Sequence, residues 1–193
     1  LPRANYYICT IMQKRNLLDS KLLEVTIDRL CYQLIENYGD FENTVILGLQ
    51  PRGTLFAQRI ARNLEKILQK QLLIGNIDAT FHRDDFRRRD SPIKANTTNV
   101  PFVIENKNVI LIDDVLFTGR SVRAAMDAMI SFGRPSKVDL LVLINRRYSR
   151  DLPIEPNYVG QHVNSIQSQR VLVEWTEQGH ESDNVILFTK EDE

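Results

Sequence analysis

Val109-Ile-Leu-Ile-Asp-Asp-Val-Leu-Phe-Thr-Gly-Arg-Ser121 is the stretch of this sequence that decides the fold. Its first four residues are all apolar, which is typical of a short strand buried on both faces of a parallel sheet. Asp113 and Asp114 follow, and a helical pattern opens near Arg120. We therefore predict a strand that brings two carboxylates and the start of a helix to one edge of an α/β sheet.

Buried strands alternate with amphipathic helices on both sides of this stretch. Apolar spacing predicts helices within 19–38, 55–68 and 120–132, and short apolar runs predict strands at 44–49, 72–81 and 138–144. This order of elements predicts an open parallel sheet with helices on both faces. Ligands of such sheets bind at the carboxyl ends of the strands. The loops 50–53 and 113–119 both fall at that edge.

Two further regions stand apart from this alternation. Beyond residue 150, short alternating runs around Tyr158 and 171–175 and a last apolar run at 185–188 predict a small β-rich appendage. The stretch 82–101 contains three consecutive arginines and no apolar period. A loop of that length inside a compact domain is more often a lid or a binding loop than a simple connection.

Composition limits the possible functions. The 193 residues include 25 Lys and Arg against 25 Asp and Glu, whereas nonspecific nucleic-acid binders usually carry a positive excess. No apolar run approaches the roughly 18 residues that cross a bilayer, so we expect a soluble protein without a membrane partner. Cys9 and Cys31 are too few for a disulfide framework and lack metal-ligand spacing, which favours a reducing cytoplasm.

The quoted stretch combines two kinds of binding group. Backbone N–H groups at a helix start attract anions, the hydroxyls of Thr118 and Ser121 add donors, and Gly119 allows a close approach of the main chain. Carboxylates repel a phosphate but suit hydroxyl groups or Mg²⁺ on the same ligand. A ribose 5-phosphate satisfies both the Asp113–Asp114 pair and the helix start.

Three other interpretations of these residues are weaker. The segment 48–54 has the glycine spacing of a Walker A loop, but the lysine needed before Thr54 is absent, which disfavours a nucleoside triphosphatase. Capping carboxylates would stand closer to the helix than Asp113 and Asp114 do. A receiver-type phosphorylation site would need more acidic residues near the start of the chain.

The stretch 112–121 resembles the phosphoribosyl pyrophosphate (PRPP) fingerprint of type I phosphoribosyltransferases. Further segments resemble the PyrR family of pyrimidine-operon regulators, which are uracil phosphoribosyltransferase homologues. These segments are 48–53, 77–85, 122–128, 133–136 and 152–154, with Tyr158 and Gly160. The resemblance extends over about residues 16–190.

The resemblance implies a fold and a domain organisation. The fold is that of a type I phosphoribosyltransferase, an open parallel α/β sheet with a small β-rich hood. Residues 1–15 are expected to be an N-terminal extension and residues 16–193 the phosphoribosyltransferase domain. Within that domain the hood is expected mainly at 145–180, and the flexible lid loop at 82–101.

The resemblance also implies where PRPP binds. Its hydroxyls would contact Asp113 and Asp114, its 5-phosphate would lie in the loop 117–121, and its pyrophosphate would lie at 50–53 with Arg52 as charge partner. The implied PRPP-binding residues are Pro51, Arg52, Gly53, Asp113, Asp114, Val115, Leu116, Phe117, Thr118, Gly119, Arg120 and Ser121. Members of the family often carry a cis peptide in the pyrophosphate loop. We expect Gln50–Pro51 to be cis, because proline lowers that cost to about 0.5–1 kcal/mol.

The implied reaction is displacement of pyrophosphate from ribose C1 by a base nitrogen. Mg²⁺ is the implied cofactor, held near Asp113 and Asp114 mainly through the ligand. Arg83, in the lid loop, would meet the pyrophosphate when the lid closes. The implied catalytic residues are therefore Arg83, Asp113 and Asp114.

Phe117 bears on the choice of base. Relatives that act on 6-oxopurines place an acidic residue at this position to take a purine proton, and phenylalanine cannot do so. We therefore expect uracil as substrate, with UMP and pyrophosphate as products, and keep a purine transferase as a more distant alternative. The implied base-binding residues are Arg146, Val171, Leu172 and Val173.

Two segments depart from the PyrR pattern. Residues 145–151 have one extra residue and lack the usual histidine. Within the first helix, the segment Leu22–Asn37 carries Glu24, Asp28 and Glu36 against Arg29 alone. RNA affinity depends largely on phosphate neutralisation, so these residues disfavour RNA as a partner, although arginines 146, 147 and 150 leave a basic patch open. We expect an enzyme, a homodimer or larger as its relatives are, with a UMP-sensing, RNA-binding regulator as the alternative.

Overall fold

The computed structural model of the protein describes residues 14–82 and 97–189. In chain order, its elements are β1 (Lys14–Leu18), α1 (Ser20–Tyr38), β2 (Thr44–Leu49), α2 (Gly53–Leu68), β3 (Leu73–Ile77), β4 (Asn108–Leu116), α3 (Arg120–Met129), β5 (Lys137–Arg147), β6 (Tyr158–Asn164), β7 (Gln169–Glu174) and β8 (Asn184–Thr189). Short 3₁₀ turns cover Thr80–His82, Ile130–Phe132 and Thr176–Gln178.

The main sheet consists of five parallel strands in the order β3-β2-β4-β5-β6. Every residue of β2 is buried, as its continuous apolar sequence predicts for a strand covered on both faces. Ile46 packs in one core with α1 and α2, while Val45 and Leu47 pack in a second core with α3. Helices therefore cover both faces of the sheet, which confirms the predicted fold class.

The first helix, α1, has residues at both ends that favour the start and the end of a helix. Asp19 caps α1 by accepting a hydrogen bond from the Leu22 N–H at 2.8 Å, which satisfies one of the free donors of the first turn. The helix ends at Gly39, whose φ of 59° is easily reached only without a Cβ. Leu23, Ile27, Leu30 and Leu34 form its buried stripe.

The strand that carries the acidic pair is longer than its apolar sequence predicts. Pairing between β2 and β4 ends at Gly48 and Ile112, whereas pairing between β4 and β5 continues to Leu116 and Asn145. Asp113 and Asp114 therefore lie within β4, beyond the last residue paired with β2. The chain passes from β2 to β3 on one side and returns as β4 on the other side. This is the topological switch point at which open α/β sheets bind ligands.

A second, antiparallel sheet of three strands has the order β1-β8-β7, and we call it the hood. Its buried side chains continue the core around α2, where the Trp175 ring stacks on Phe56 at 6.3 Å between centroids. Arg59 of α2 fastens the hood from outside through Glu177 at 2.6 Å and Asp183 at 2.5 Å. The guanidinium of Arg59 also lies 4.5 Å from the Trp175 ring centroid.

Several predicted boundaries differ from the structure. The resemblance implies a hood mainly at 145–180. Residues 145–147 and the strand β6, which starts at Tyr158, belong instead to the main sheet. Two of the three hood strands come from 14–18 and 184–189. The predicted strand at 72–81 is shorter, and the third helix changes to a 3₁₀ turn after Met129. Apolar spacing identifies a strand but not the strands with which it pairs. The sequence pattern therefore could not show that β6 belongs to the main sheet and that β1 and β8 belong to the hood. No described helix is long and apolar enough to cross a membrane.

Candidate active site

The carboxyl ends of the central strands open into a cavity of about 690 Å³, a size typical of small-ligand sites. The acidic pair, the loop after β2 and the hood strand β7 contribute to one wall each. The lining residues are Leu49, Gln50, Pro51, Arg52, Asp113, Asp114, Val115, Phe117, Ser121, Arg146, Gln167, Gln169, Arg170, Val171, Leu172 and Phe188.

The two adjacent carboxylates are nearly removed from water. Asp113 is 9% and Asp114 5% exposed, and each accepts a hydrogen bond from the N–H of the following residue, at 2.9 and 2.7 Å. Burial, and then the charge of Asp114, raise the pKa of Asp113 well above its ordinary value. Burial also raises the pKa of Asp114, against the opposing charge of Arg52. Negative charge on the two carboxylates is therefore disfavoured, and additional hydrogen-bond donors or cations would stabilise it.

The loop after β2 approaches the acidic pair closely. Gln50–Pro51 is cis, which confirms the sequence prediction. A Cβ on Gly53 would lie 2.5 Å from the Ile112 carbonyl oxygen and 2.9 Å from Asp113 Cα, so a side chain there would force the loop away from β4. Arg52 precedes the helix, lines the cavity and acts electrostatically on both carboxylates. A cation and a helix start thus face the same cavity as the acidic pair.

The loop between β4 and α3 turns at Gly119, whose φ is 89°. We call 117–121, the segment for which the resemblance implies a 5-phosphate, the phosphate loop. Gly119, the residue before α3, has no side chain that could cap the helix, and the Arg120 N–H donates to Thr118 Oγ1 at 3.4 Å. The positive end of the helix dipole at this position favours an anion. The Thr118 carbonyl accepts hydrogen bonds from the N–H groups of Asp151 and Leu152, at 3.1 and 3.2 Å. The loop is thus supported from the side of the 148–154 segment.

The wall of the cavity next to the hood includes Phe117, Arg146 and residues of β7. The Arg146 guanidinium lies 3.9 Å from the centroid of the Phe117 ring, and it donates to Ser165 Oγ at 2.8 Å and to the Ile166 carbonyl at 3.0 Å. Burial, and then the nearby charge of Arg170, lower the pKa of Arg146. Arg146 and Arg170 thus place two interacting positive charges at the hood side of the cavity.

The structure brings together most of the residues expected at the site. Pro51, Arg52, Asp113, Asp114, Val115, Phe117, Ser121, Arg146, Val171 and Leu172 line one cavity. Gly53, Leu116, Thr118, Gly119 and Arg120 belong to the adjoining backbone but are not among its described lining residues. Val173 is buried in the core shared by the hood and α2. Arg83 and residues 83–96 of the lid loop lie outside the described residues, so these expectations stay predictions.

Other lining residues were not identified from the sequence as part of the site. Gln167, Gln169 and Arg170 come from the turn into β7 and its start, and Phe188 comes from β8. Arg170 alternates with the buried Val171, and this alternation was the one sequence signal that it faces away from the core. The position of Phe188 depends on hood pairing, which no local pattern indicates.

The acidic pair fits Mg²⁺ only in partnership with a ligand. Within residues 14–82 and 97–189, no three His, Cys, Asp or Glu side chains cluster as a protein-only metal site requires. Mg²⁺ commonly binds through one or two carboxylates while substrate oxygens and water complete its octahedron. Asp113 and Asp114, buried and in need of charge compensation, match that mode.

Cys31, the one cysteine within the described residues, is buried and free. Burial, and then the charge of Asp28, raise the pKa of its thiol to about 12, so the reactive thiolate is scarce at neutral pH. This agrees with an incidental core thiol. The described cysteine therefore adds no nucleophile to the site.

The switch-point cavity, the acidic strand end and the hood together define a protein of the type I phosphoribosyltransferase fold. The chain belongs to the phosphoribosyl transferase family, because the family's domain model matches residues 13–178.

Two bacterial proteins resemble the chain over nearly its full length. The Bifunctional protein PyrR of Streptococcus mutans is 37% identical over 181 residues, which cover 94% of this chain and 99% of that protein. The Bifunctional protein PyrR of Desulfosudis oleivorans is 39% identical over 179 residues, covering 92% and 98%. The chain is thus similar to PyrR proteins from two different bacteria.

Solved structures confirm the fold. The hypoxanthine phosphoribosyltransferase of Trypanosoma cruzi superposes with a TM-score of 0.67 at 15% identity, covering 92% of this chain and 97% of that chain. The HGPRT-ase of Leishmania tarentolae in complex with GMP gives a TM-score of 0.65 at 17% identity, covering 92% and 98%. At these identities the likeness concerns the fold alone.

Proposed function

We propose that the protein transfers phosphoribose from PRPP to uracil, giving UMP and pyrophosphate. The observation that carries this proposal is the meeting of a buried carboxylate pair, a cationic loop and the start of α3 at one cavity. A ribose 5-phosphate that bears pyrophosphate at C1 presents a diol and two anionic ends, and it matches these three features. The resemblance to PyrR proteins supports the pyrimidine product.

In this proposal the diol of the sugar donates hydrogen bonds to Asp113 and Asp114. Their raised pKa values show that charge on the pair is poorly compensated without a ligand, so donors that approach it gain more than they would in water. Mg²⁺, when bound with the substrate, would neutralise part of the pyrophosphate charge that develops as the C1–O bond breaks. Arg52 adds positive charge at the loop expected to hold the pyrophosphate.

The acceptor base would lie between Phe117 and the hood. Its N1 lone pair forms the new bond to C1, pyrophosphate leaves with the electron pair of the broken bond, and the N1 proton passes to water. Phe117 cannot accept that proton, which favours a base whose N–H is already acidic, such as uracil, over a purine. Arg146 has only donors, so it suits the carbonyl oxygens of uracil.

The test measures UMP formation from uracil and PRPP with and without Mg²⁺, with hypoxanthine as competing base. We expect UMP to form only with Mg²⁺ and hypoxanthine to compete weakly. The UMP assay is repeated with Arg146→Met, which keeps bulk beside Phe117 but removes the donors. Preferred conversion of hypoxanthine, or no product from either base, would contradict the proposal.

The second candidate is a UMP-sensing, RNA-binding regulator with little catalysis. The word bifunctional in the relatives' names supports considering it. The structure weakens the basic patch this role would need. Arg146 is 4% exposed and Arg150 points inward to Asn145 and the Phe117 carbonyl, so of the three arginines at 146, 147 and 150 only Arg147 is exposed. RNA affinity that falls steeply between low and moderate salt would favour the regulator.

We also propose a domain organisation, a lid and an oligomeric state for the protein. Residues 16–193 would form the transferase domain after an extension at 1–15, residues 82–101 would act as its lid, and Arg83 would contact pyrophosphate. The protein would act in the cytoplasm as a homodimer or larger. The exposed stripe of Leu22, Val25 and Tyr32 on α1 is compatible with contact between subunits, which sedimentation equilibrium would measure.

A further inference from the structure

A short segment, 150–154, lies beside the phosphate loop and contacts its first three residues, 117–119. The Arg150 guanidinium donates through Nη1 to the Phe117 carbonyl. The N–H groups of Asp151 and Leu152 both donate to the Thr118 carbonyl. Ile154 occupies the space beside Gly119, where a Cβ would lie 3.3 Å from its side chain.

These contacts determine which way the loop presents its donors. In a trans peptide the C=O of one residue and the N–H of the next lie in one plane and point in opposite directions. Holding the Phe117 carbonyl towards Arg150 therefore turns the Thr118 N–H to the other side. Holding the Thr118 carbonyl towards 151–152 does the same for the Gly119 N–H. The two donors at the start of the loop thus face away from 150–154.

Arg150 is fixed at both ends of its guanidinium. Nη2 donates to Asn145 Oδ1 at 2.6 Å, and the Asn145 amide lies 3.3 Å from His162 Nδ1, so the arginine is tied to the end of β5 and to β6. Asn145 is itself buried. A planar fork between two fixed acceptors restricts the rotation of the Phe117–Thr118 peptide more than a single flexible ammonium would.

We propose that Arg150 is a positioning residue for the phosphate loop, which orients the Thr118 and Gly119 N–H groups towards a sugar phosphate. The inference rests on the proposed function for the identity of that ligand. Asp151 and Leu152 assist through their own N–H groups, which side-chain substitutions leave in place. Arg150 is therefore the position at which a side-chain substitution can test how the phosphate loop is oriented.

The experiment compares Arg150→Gln and Arg150→Lys with Arg147→Gln, a matched control at an exposed arginine of the neighbouring residues. Calorimetry measures the binding of UMP, ribose 5-phosphate and uridine, and hydrogen exchange of ligand-free protein measures the amides of 117–121. Steady-state assays separate KM for PRPP from KM for uracil.

We expect Arg150→Gln to weaken UMP and ribose 5-phosphate by about tenfold, the size of one charge-assisted hydrogen bond, with uridine changed less than about twofold. KM for PRPP should rise while KM for uracil does not, and exchange in 117–121 should accelerate. Arg150→Lys should fall between wild type and Arg150→Gln, because its ammonium keeps the charge but lacks the planar fork that reaches both acceptors. Arg147→Gln should behave as wild type.

Two results would overturn the inference. One is wild-type exchange and UMP affinity in folded Arg150→Gln. The other is an equal loss of UMP and uridine affinity, since that would indicate general loosening rather than loop positioning. If wild-type protein bound no sugar phosphate at all, the proposed function would fall. The exchange comparison would still decide whether Arg150 orders the loop.

Discussion

Asp113 illustrates at the scale of one residue how a binding group can oppose stability. Its pKa is raised by burial and by Asp114, so the folded protein holds a proton at pH values where the unfolded chain has released it. This contribution to stability is fully present below the ordinary pKa of about 3.8 and is lost as pH rises through the raised value. At neutral pH the burial of Asp113 and its repulsion by Asp114 therefore lower the stability of the ligand-free protein.

Replacing Asp113 by Asn should separate these two effects. We expect Asp113→Asn to abolish measurable PRPP and UMP binding, yet to raise the Tm of the ligand-free protein by about 2–4 °C for each kcal/mol of repulsion and desolvation removed. Calorimetric unfolding and ligand titration measure both. Asp127→Asn is the control, because it removes a half-exposed carboxylate whose partner is Arg123. A lower Tm, or retained affinity, would contradict the expectation.

Tyr38 and Asp139 form a second buried polar group, at the opposite end of β5 from the site. The Tyr38 hydroxyl donates to Asp139 Oδ2, and Lys137 Nζ lies 2.8 Å from the same oxygen. Burial, and then the hydrogen bond to Asp139, raise the pKa of Tyr38. The phenol therefore stays neutral in the folded protein at pH values where it ionises in the unfolded chain.

We expect Tyr38→Phe to lower the free energy of unfolding by about 1–3 kcal/mol at neutral pH, because Asp139 loses a buried donor. The stability from Tyr38 is fully present below its ordinary pKa of about 10 and is lost as pH rises above it, so the difference between wild type and variant should shrink at high pH. Urea unfolding at about pH 7 and about pH 10.5 measures this, with the exposed Tyr32→Phe as control. A difference independent of pH would refute the account.

At the scale of elements, the junction between α2 and β4 has no room for a side chain. Gly53 packs on the backbone of Ile112 and Asp113, and backbone cannot yield as a flexible side chain can. We expect Gly53→Ala to displace the 50–53 loop and to weaken PRPP and pyrophosphate binding by about tenfold or more. Gly179→Ala is the control, since it has open space but a φ of 90°, so it should lower stability alone. Equal affinities in the two variants would count against this packing argument.

The hood depends on a different element contact. Arg59 engages Glu177 and Asp183 with side-chain exposures of only 20%, 34% and 17%, so its loss leaves partly buried carboxylates without their partner. We expect Arg59→Gln to lower stability by about 1–3 kcal/mol and to raise KM for uracil more than KM for PRPP, because β7 carries the hood side of the cavity. Arg62→Gln, one turn away and exposed, is the control. A larger effect on PRPP would show that α2 and not the hood had moved.

At the scale of the whole molecule, local sequence patterns predict the individual strands and helices better than they predict which strands pair in each sheet. The continuous apolar runs of β2 and β4 and the Gly39 stop are local, so the sheet and its helices were predictable. The sheet to which Tyr158 belongs was not, because pairing with β5 is a long-range contact. The acidic pair and the start of α3 were also predictable from a local pattern, because both lie within the single stretch 109–121.

The missed parts of the site share a long-range origin. Arg170 and Phe188 reach the cavity only when β7, β8 and β1 have paired, and Arg150 acts through a carbonyl 33 residues away. Its place among three neighbouring arginines suggested a surface patch, whereas folding distributes those side chains to three environments. Charge spacing alone does not reveal which arginine is enclosed.

The pairing of Lys14 with Phe188 has a consequence for the order of synthesis. A ribosome releases the chain from its amino end, so β1 emerges first and has no partner until β8, nearly the last part described, leaves the exit tunnel. The five-stranded sheet can form before then. The nascent protein would thus form the sheet that carries the acidic pair early, and it would complete the hood only after β8 has been synthesised.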